Sequence, residues 1–430
     1  MTALLLRHAR VEDSPDPTDI RVRGGRIEAI GPGLAPPEGI GAEVVDCAGR
    51  VVIPGLIEAH LHPDKALLDG LPQEGPEGTG SLADAIRITA QLKAGFTYDE
   101  VRARAEQVLR MCVLNGTTAV RAHPDVDPVA GLTGLKVLLE LREKWAALVT
   151  LQVVAFPQEG IFKAPGTEKL LREALDAGAD AVGGCTYNEA SLADCHRHVE
   201  LVLDLAAEYG VPADLHADFG DDAADPRFAL AEFIASRTAE RGLQGRVTLG
   251  HATSLGGRPP TERRAALAAL AAAGVAVVPL PATDLFLGGR GDDTAPRRGL
   301  APVRELWDAD VLTACATNNI RNAFTPYGTG DVLETALLLA RVAHLSGPSD
   351  LRRVLRMVTY DAARVIGVPD ADYGVREGAV ADLVVLDTRD HATLLLDRPA
   401  RTAVVKSGRV VARSAFSAEL DGSLIAGEVA

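Results

Sequence analysis

His60 and His62 stand two residues apart at the end of the apolar run VVIPGLIEAHLH. Side chains two apart on a β-strand leave from the same face. Both imidazoles would therefore project from one strand end toward one point, as capture of a metal requires. Five of the ten histidines, His60, His62, His123, His216 and His251, fall near the ends of apolar runs. Three neutral imidazoles are an adequate ligand set for Zn2+ or Fe2+ and leave a position for water. We assign His60, His62 and His216 as the ligands of one divalent metal. His251 is placed to face the bound water or the substrate as acid, base or hydrogen-bond donor. His123 is a candidate substrate contact, weighed evenly against a hydrogen-bonded core residue. His196 and His198, in the charged helix CHRHVELVLDL, read as solvated surface residues.

Eight apolar, β-branched runs supply the strands: VVIPGLIEAHLH, TTAVRAHPDVD, LVTLQVVAFPQEG, DAVGGCTYNEA, VPADLHADFG, RVTLGHATS, VAVVPLPATD and VLTACATNN. Helical segments such as YDEVRARAEQVLRMCVLNG and RFALAEFIASRTAERGL lie between them. Continuous apolar strands alternating with helices mean parallel strands covered on both faces. Eight such units predict a closed (β/α)8 barrel, an α/β fold whose active site gathers at the C-terminal strand ends. The polar residues ending the runs include Asp125, Asp127, Gln158, Glu159, Tyr187, Asn188, Asp218, Asn318 and Asn319 beside the histidines. No Gly-x-Gly-x-x-Gly follows an early strand, which weakens a dinucleotide-binding alternative. Both chain ends read as short strands with Gly-Gly and Ser-Gly hairpin signals. They are expected to pair into one small β-sandwich. The expected division is residues 1–54 and 366–430 for the sandwich and 55–365 for the barrel.

Composition narrows the class. The 430 residues carry 44 Lys and Arg against 59 Asp and Glu, a net charge of −15. That sign disfavours nucleic acid and anionic membranes as partners, since both select basic surfaces. The five cysteines are widely spaced with no Cys-x-x-Cys pair, which fits a reduced cytoplasm. No apolar stretch is long enough to span a bilayer, and the N-terminal apolar run is too short for a signal peptide.

These motifs together resemble the amidohydrolase superfamily, and within it the cytosine deaminase-like branch. The likeness runs from VVIPGLIEAHLHPDK through GTTAVRAHPDVDP, AFPQEGI, LHAD, TLGHAT and NNIRNAFTPYGTGDVLE, with DLVVLD in the closing β region. It implies a barrel with a small β-sandwich, one mononuclear metal and hydrolysis of a ring C–N bond in a small molecule. It also implies that His60, His62 and His216 bind metal, that His251 polarises the bound water, and that Gln158 hydrogen-bonds a pyrimidine-like amide. No lysine ends the fourth strand, which argues against a bridged metal pair. Family members are commonly homo-oligomers, though no interface signature is visible in the chain.

The chain departs from the family where protons are moved. The family's proton-shuttling Glu is Phe219 here, and its strand-eight Asp is Asn318, followed by Asn319. Asparagine does not take up a proton at neutral pH. Loss of one general base typically forfeits about 10²–10⁴ in rate. Asp64, Asp218, Glu159 and His251 are the candidate replacements. The favoured reading is a C–N hydrolase with a rewired proton path, using His251, Asp218 and Asn318 in catalysis. Gln158, Asn319, Phe219, His123 and Asp64 would contact the substrate. The alternatives are a cyclase- or lyase-type biosynthetic enzyme on the same barrel, or an inactive small-molecule binder.

Overall fold

The computed structural model describes residues 2–12, 14, 16–37, 41–68 and 81–420. The last ten residues of the expected C-terminal sandwich segment, and a stretch of the expected barrel at 69–80, lie outside the described residues. The chain opens with β1 (Ala3–Ala9), β2 (Thr18–Arg23), β3 (Arg26–Gly31), β4 (Glu43–Asp46) and β5 (Val51–Pro54). The barrel strands follow: β6 (Leu56–Leu61), β7 (Thr117–Ala122), β8 (Thr150–Ala155), β9 (Ala181–Cys185), β10 (Ala213–Ala217), β11 (Val247–His251) and β12 (Ala276–Val278). Last come β13 (Leu383–Leu386), β14 (Arg401–Lys406) and β15 (Arg409–Arg413).

The seven strands β6 to β12 form one parallel sheet in sequence order. The eighth apolar run makes no regular strand. It crosses the gap between β12 and β6 through the isolated parallel bridges Val277–Thr313 and Leu61–Asn318. The Ala314 N–H donates to Val277 O at 3.1 Å, and the Asn318 N–H donates to His60 O at 2.8 Å. Others of its N–H groups go to partners outside a strand ladder, Cys315 N to Met357 O at 2.9 Å and Thr317 N to the Glu58 carboxylate at 3.0 Å. The barrel is thus closed, but its last wall is stitched rather than laddered.

The strands carry apolar residues on their outer faces and polar residues within. Val120, Ala122, Leu151, Val153, Leu215 and Leu249 join the cluster that packs on the surrounding helices. On β6, β7 and β10 the alternate positions bring Glu58, His60, Arg121, Asp214 and His216 inside, all buried. A barrel interior is more often filled by branched apolar side chains. Arg121 Nη1 lies on Asp214 Oδ2 at 3.0 Å, which makes burial of that pair tolerable, while Glu58 has no ion-pair partner among the described residues and burial pushes its carboxyl up to about 7.

The helix Tyr98–Leu114 shows how the outer layer is specified. Thr97 and Glu100 form a reciprocal capping box at its start. Val101, Ala105, Val108, Leu109 and Cys112 then recur at helical spacing and are buried against the barrel. The helix Leu192–Tyr209 corrects one expectation. His198 shares its inner face with Cys195, Val199 and Val202 and is fully buried, not solvated. Its Nδ1–H donates to Glu189 at 2.7 Å and its Nε2 accepts the Cys185 N–H at 3.0 Å. His196 is only part-buried and stacks on Phe233.

The two chain ends build the sandwich. One sheet runs β3-β2-β1-β4, with β1 and β4 parallel, and the other runs β15-β14-β13-β5. Leu4, Leu6, Ile20 and Val22 from one face Val52, Leu383, Val385 and Val405 from the other in a single core. Gly55 is the hinge between β5 of the sandwich and β6 of the barrel. A Cβ built there would lie 2.1 Å from Thr118 Oγ1. Gly55→Ala is therefore expected to destabilise the fold by about 1–3 kcal/mol through overpacking. Denaturant midpoints should show that loss and its partial recovery in Gly55→Ala/Thr118→Gly. An unchanged midpoint in the single variant would contradict the packing described.

Candidate metal centre and reaction site

His60 on β6 and His216 on β10 come from opposite walls of the barrel, and His62 follows the end of β6. The Nε2 of His216 lies 2.9 Å from that of His60 and 3.2 Å from that of His62. Nitrogens in a tetrahedral shell at about 2.0–2.1 Å from zinc sit roughly 3.3–3.4 Å apart, so this spacing is near that of a ligand set. The His62 Nδ1–H is spent on His123 O at 2.7 Å, which leaves its Nε2 lone pair turned toward the other rings. Burial, followed by the neighbouring imidazoles, pushes His60 and His216 well below the usual histidine range; for His62, burial acts first and the Lys65 ammonium next. Neutral imidazole is the form that binds a cation. Gly250 on β11 makes room for this group, since a Cβ there would approach His60 Cε1 to 3.3 Å. The three residues fit one divalent metal by geometry, charge state and donor chemistry.

A second layer lies beneath them. Asp214 stands two residues before His216 on the same face of β10. Its Oδ1 is 3.4 Å from His123 Nε2 and 3.8 Å from His60 Nδ1. Burial would raise the Asp214 carboxyl, but His123 and Arg121 outweigh it and hold the group below its ordinary range. His123 stacks on His60 with ring centroids 3.8 Å apart. It therefore supports the ligand ring from below. Arg121 and Asp214 are absent from the candidates chosen by sequence. A charge inside each of two apolar strands, at even spacing from a histidine, was the available signal.

At the mouth, His251 and Ala252 adopt φ of 72° and 54°. Consecutive left-handed conformations are costly for residues other than glycine and gather at functional turns. This turn brings the His251 Nδ1–H to Asp284 Oδ1 at 2.6 Å. Asp284, in the helix Pro281–Leu287, also accepts the Leu280 N–H at 3.0 Å. Burial raises its carboxyl, and His251 offsets part of that rise. Asp284 was not among the sequence candidates, because nothing in VAVVPLPATD distinguishes it from a helix-capping acid. Phe219 lies flat on His251, with centroids 3.9 Å apart and planes 6° apart. Asn318 is buried with φ of 67°, and its Oδ1 has no hydrogen-bond partner among the described residues.

The other candidate residues divide sharply. Asp218 turns away from the metal trio. Its carboxylate accepts the Leu230 and Ala231 N–H groups at 2.7 and 3.1 Å, at the start of the helix Ala231–Glu240. Arg258 Nη2 adds a contact at 3.3 Å. That is a helix-capping arrangement, and it engages both carboxylate oxygens. Asp64 Oδ2 accepts the Asp125 N–H at 3.0 Å, and burial followed by Asp125 raises its carboxyl to about 6. Gln158 Oε1 accepts from Lys65 Nζ at 2.7 Å, and the same ammonium donates to Asp125 at 2.7 Å. Lys93 bridges Asp125, Asp127 and Glu159 at 3.0, 2.7 and 2.8 Å. Asn319 Nδ2 donates to Thr283 Oγ1 at 3.2 Å, and its Oδ1 accepts from Asn322 at 2.8 Å. Lys65 and Lys93, both buried, were not among the candidates chosen by sequence.

A barrel of this topology with a histidine trio at its C-terminal mouth defines a metal-dependent hydrolase class. The model of the amidohydrolase family matches residues 76–412. The chain is 31% identical to a pterin deaminase of Rhizobium rhizogenes, over 92% of this chain and 88% of that one. The structure superposes on 5-methylcytosine deaminase from Klebsiella pneumoniae, liganded with 5-fluorocytosine, at a TM-score of 0.90 with 29% identity. That match covers 97% of this chain and 100% of the other. N-isopropylammelide isopropylaminohydrolase from Burkholderia multivorans gives a TM-score of 0.83 at 36% identity, covering 96% and 99%. The chain belongs to the amidohydrolase family.

Elemental analysis of the purified protein should find about one divalent metal per chain, falling close to zero in His216→Ala. Equal metal in the two proteins would reject the ligand assignment.

Proposed function

We propose that this chain is a metal-dependent hydrolase of a C–N bond in a small nitrogen heterocycle or amidine-like molecule. Proton transfer would run through His251 and Asp284 instead of the family's usual carboxylates. The supporting observation is the meeting of three imidazole Nε2 atoms beside a buried His251–Asp284 pair.

A Zn2+ or Fe2+ held by His60, His62 and His216 would supply Lewis acidity and make water a better nucleophile near neutral pH. The chain's own residues have separable tasks. Asp284 Oδ1 holds the Nδ1–H of His251, which fixes the tautomer whose Nε2 carries the lone pair. That nitrogen takes a proton from the attacking water and passes it to the departing amine, as a general base and then a general acid. Asn318 Oδ1, buried and unpartnered among the described residues, accepts an N–H of the substrate ring. Phe219 supplies an apolar wall against His251, where it excludes bulk water and offers a stacking surface. Lys65 anchors Gln158 by its carbonyl oxygen and one amide N–H is directed at Cys185 Sγ at 3.6 Å, so Gln158 would meet a substrate carbonyl or ring nitrogen through its other amide N–H. The five cysteines are free and buried, in keeping with the cytoplasmic location that belongs to this reading.

Relatives named for pterin, 5-methylcytosine and N-isopropylammelide share exocyclic nitrogen on an electron-poor ring. Metal-loaded protein should release ammonia or amine from at least one heterocycle of this kind, with cytosine itself a poor substrate. On that substrate, His251→Gln should lower kcat by about 10²–10⁴ with metal content unchanged. Asp284→Asn should lower kcat more than it alters KM, because it disturbs the tautomer and not the binding surface. Full activity in His251→Gln would remove the proposed proton path. Tight binding of such rings without any amine release would favour a non-catalytic binder.

A further inference from the structure

Outside His251 the barrel mouth widens into a cavity of about 710 Å³. That volume lies within the range of about 300–1,000 Å³ that encloses drug-sized ligands, and it exceeds what a bare single ring needs. Tyr187 and Phe219 line it. They meet edge to face at 5.4 Å, and Phe219 is the ring stacked on His251. The lining therefore reaches the proposed reaction site. It also carries four cationic side chains, Arg87, Lys163, Arg227 and Arg290, against the two carboxylates Glu159 and Asp221. This basic lining belongs to a chain whose net charge is −15.

Most of these charges are already paired, which leaves the imbalance on particular side chains. Glu159 is bonded to Lys93 at 2.8 Å, and Asp221 accepts the Gly289 N–H at 2.9 Å. Arg227 is paired with Asp225 at 2.6 Å and Arg87 with Asp84 at 3.3 Å. Lys163 and Arg290 differ from these. The Lys163 ammonium donates to the neutral Asn188 Oδ1 at 2.7 Å. The Arg290 Nε–H donates to Phe286 O at 2.8 Å, and its guanidinium lies 4.5 Å from the Phe286 ring centroid. Neither has a carboxylate partner among the described residues. A guanidinium stacked on a ring, with Nη groups that no described residue is shown to bind, together with an ammonium, is a donor set that recognises a carboxylate or phosphate.

We propose that this cavity receives an oxyanion group, a carboxylate or a phosphate, carried on an arm of the substrate ring and held by Lys163 and Arg290. The proposal rests on the C–N hydrolase reading. It narrows the substrate to an anionic derivative of a heterocycle and sets it apart from a free uncharged base.

The test uses the full metal-loaded chain and two matched probe pairs in titration calorimetry. The pairs are pterin-6-carboxylate with 6-hydroxymethylpterin, and cytidine 5′-monophosphate with cytidine. The anionic member of at least one pair is expected to bind about tenfold or more tightly than its neutral partner, with the advantage shrinking as salt is added. A preference in the pterin pair identifies a carboxylate arm, and one in the cytidine pair identifies a phosphate arm. In Lys163→Ala/Arg290→Ala the ratio within that pair should fall to about one. Both residues are exposed, and circular dichroism would verify that the variant folds. Absence of any preference in both pairs, or a preference that survives in the double variant, overturns the proposal. If that happens while amine release from a neutral heterocycle is intact, the arm is lost and the hydrolase reading stands. An anion preference without amine release from any ring keeps the arm and removes the hydrolase reading.

Discussion

Two backbone hydrogen bonds between Asn318 and the end of β6 hold the rest of this site in place. The Asn318 N–H donates to His60 O at 2.8 Å, and the His62 N–H donates to Asn318 O at 2.9 Å. They close the barrel where no regular strand does. They also fix the peptide units of the two histidines that must face His216 from the opposite wall. Without that closure, β6 would be an open edge, and His62, beyond the strand end, would be held only from the β7 side, through His123.

The polar barrel interior follows from the same constraint. Imidazoles that bind a cation must be neutral and directed, so they need partners that fix them without charging them. Backbone carbonyl His123 O serves His62, and the stacked His123 ring lies under His60. Below these, Arg121 and Asp214 compensate one another, which makes burial of two full charges tolerable. Around the mouth most carboxylates are already committed. Asp218 caps a helix, Asp64 holds the Asp125 amide, and Glu159 pairs with Lys93. Asp284 is the carboxylate bonded to the imidazole at the mouth. In the proposed reading, Asp284 bonded to His251 stands in for the carboxylates absent at positions 219 and 318.

Much of this was legible in the chain. Strand-end histidines, eight apolar runs and hairpin signals at both termini were sufficient for a barrel with a sandwich, because periodicity and turn chemistry are local. Where side-chain chemistry depended on which way a residue faced, local reading failed. His198 looked solvated among charged neighbours, yet its helix turns it inward onto Glu189. Asp218 looked available beside His216, yet its left-handed backbone, φ of 51°, aims the carboxylate at a helix N-terminus. The eighth run read as an ordinary strand, and its irregularity arises from partners such as Met357 O and Glu58 that lie far away in sequence.

By itself, then, the amino-acid order determined most of the elements, the eighth run excepted, and that His60 and His62 share a face, since both follow from repeat periods of a few residues. Only the tertiary structure decided that His216 meets them within about 3 Å, that Asp284 and not Asp218 serves His251, and that Lys163 and Arg290 line one cavity. Those pairings join residues from 33 to more than 150 positions apart. Contacts of that kind exist only once the chain has closed on itself.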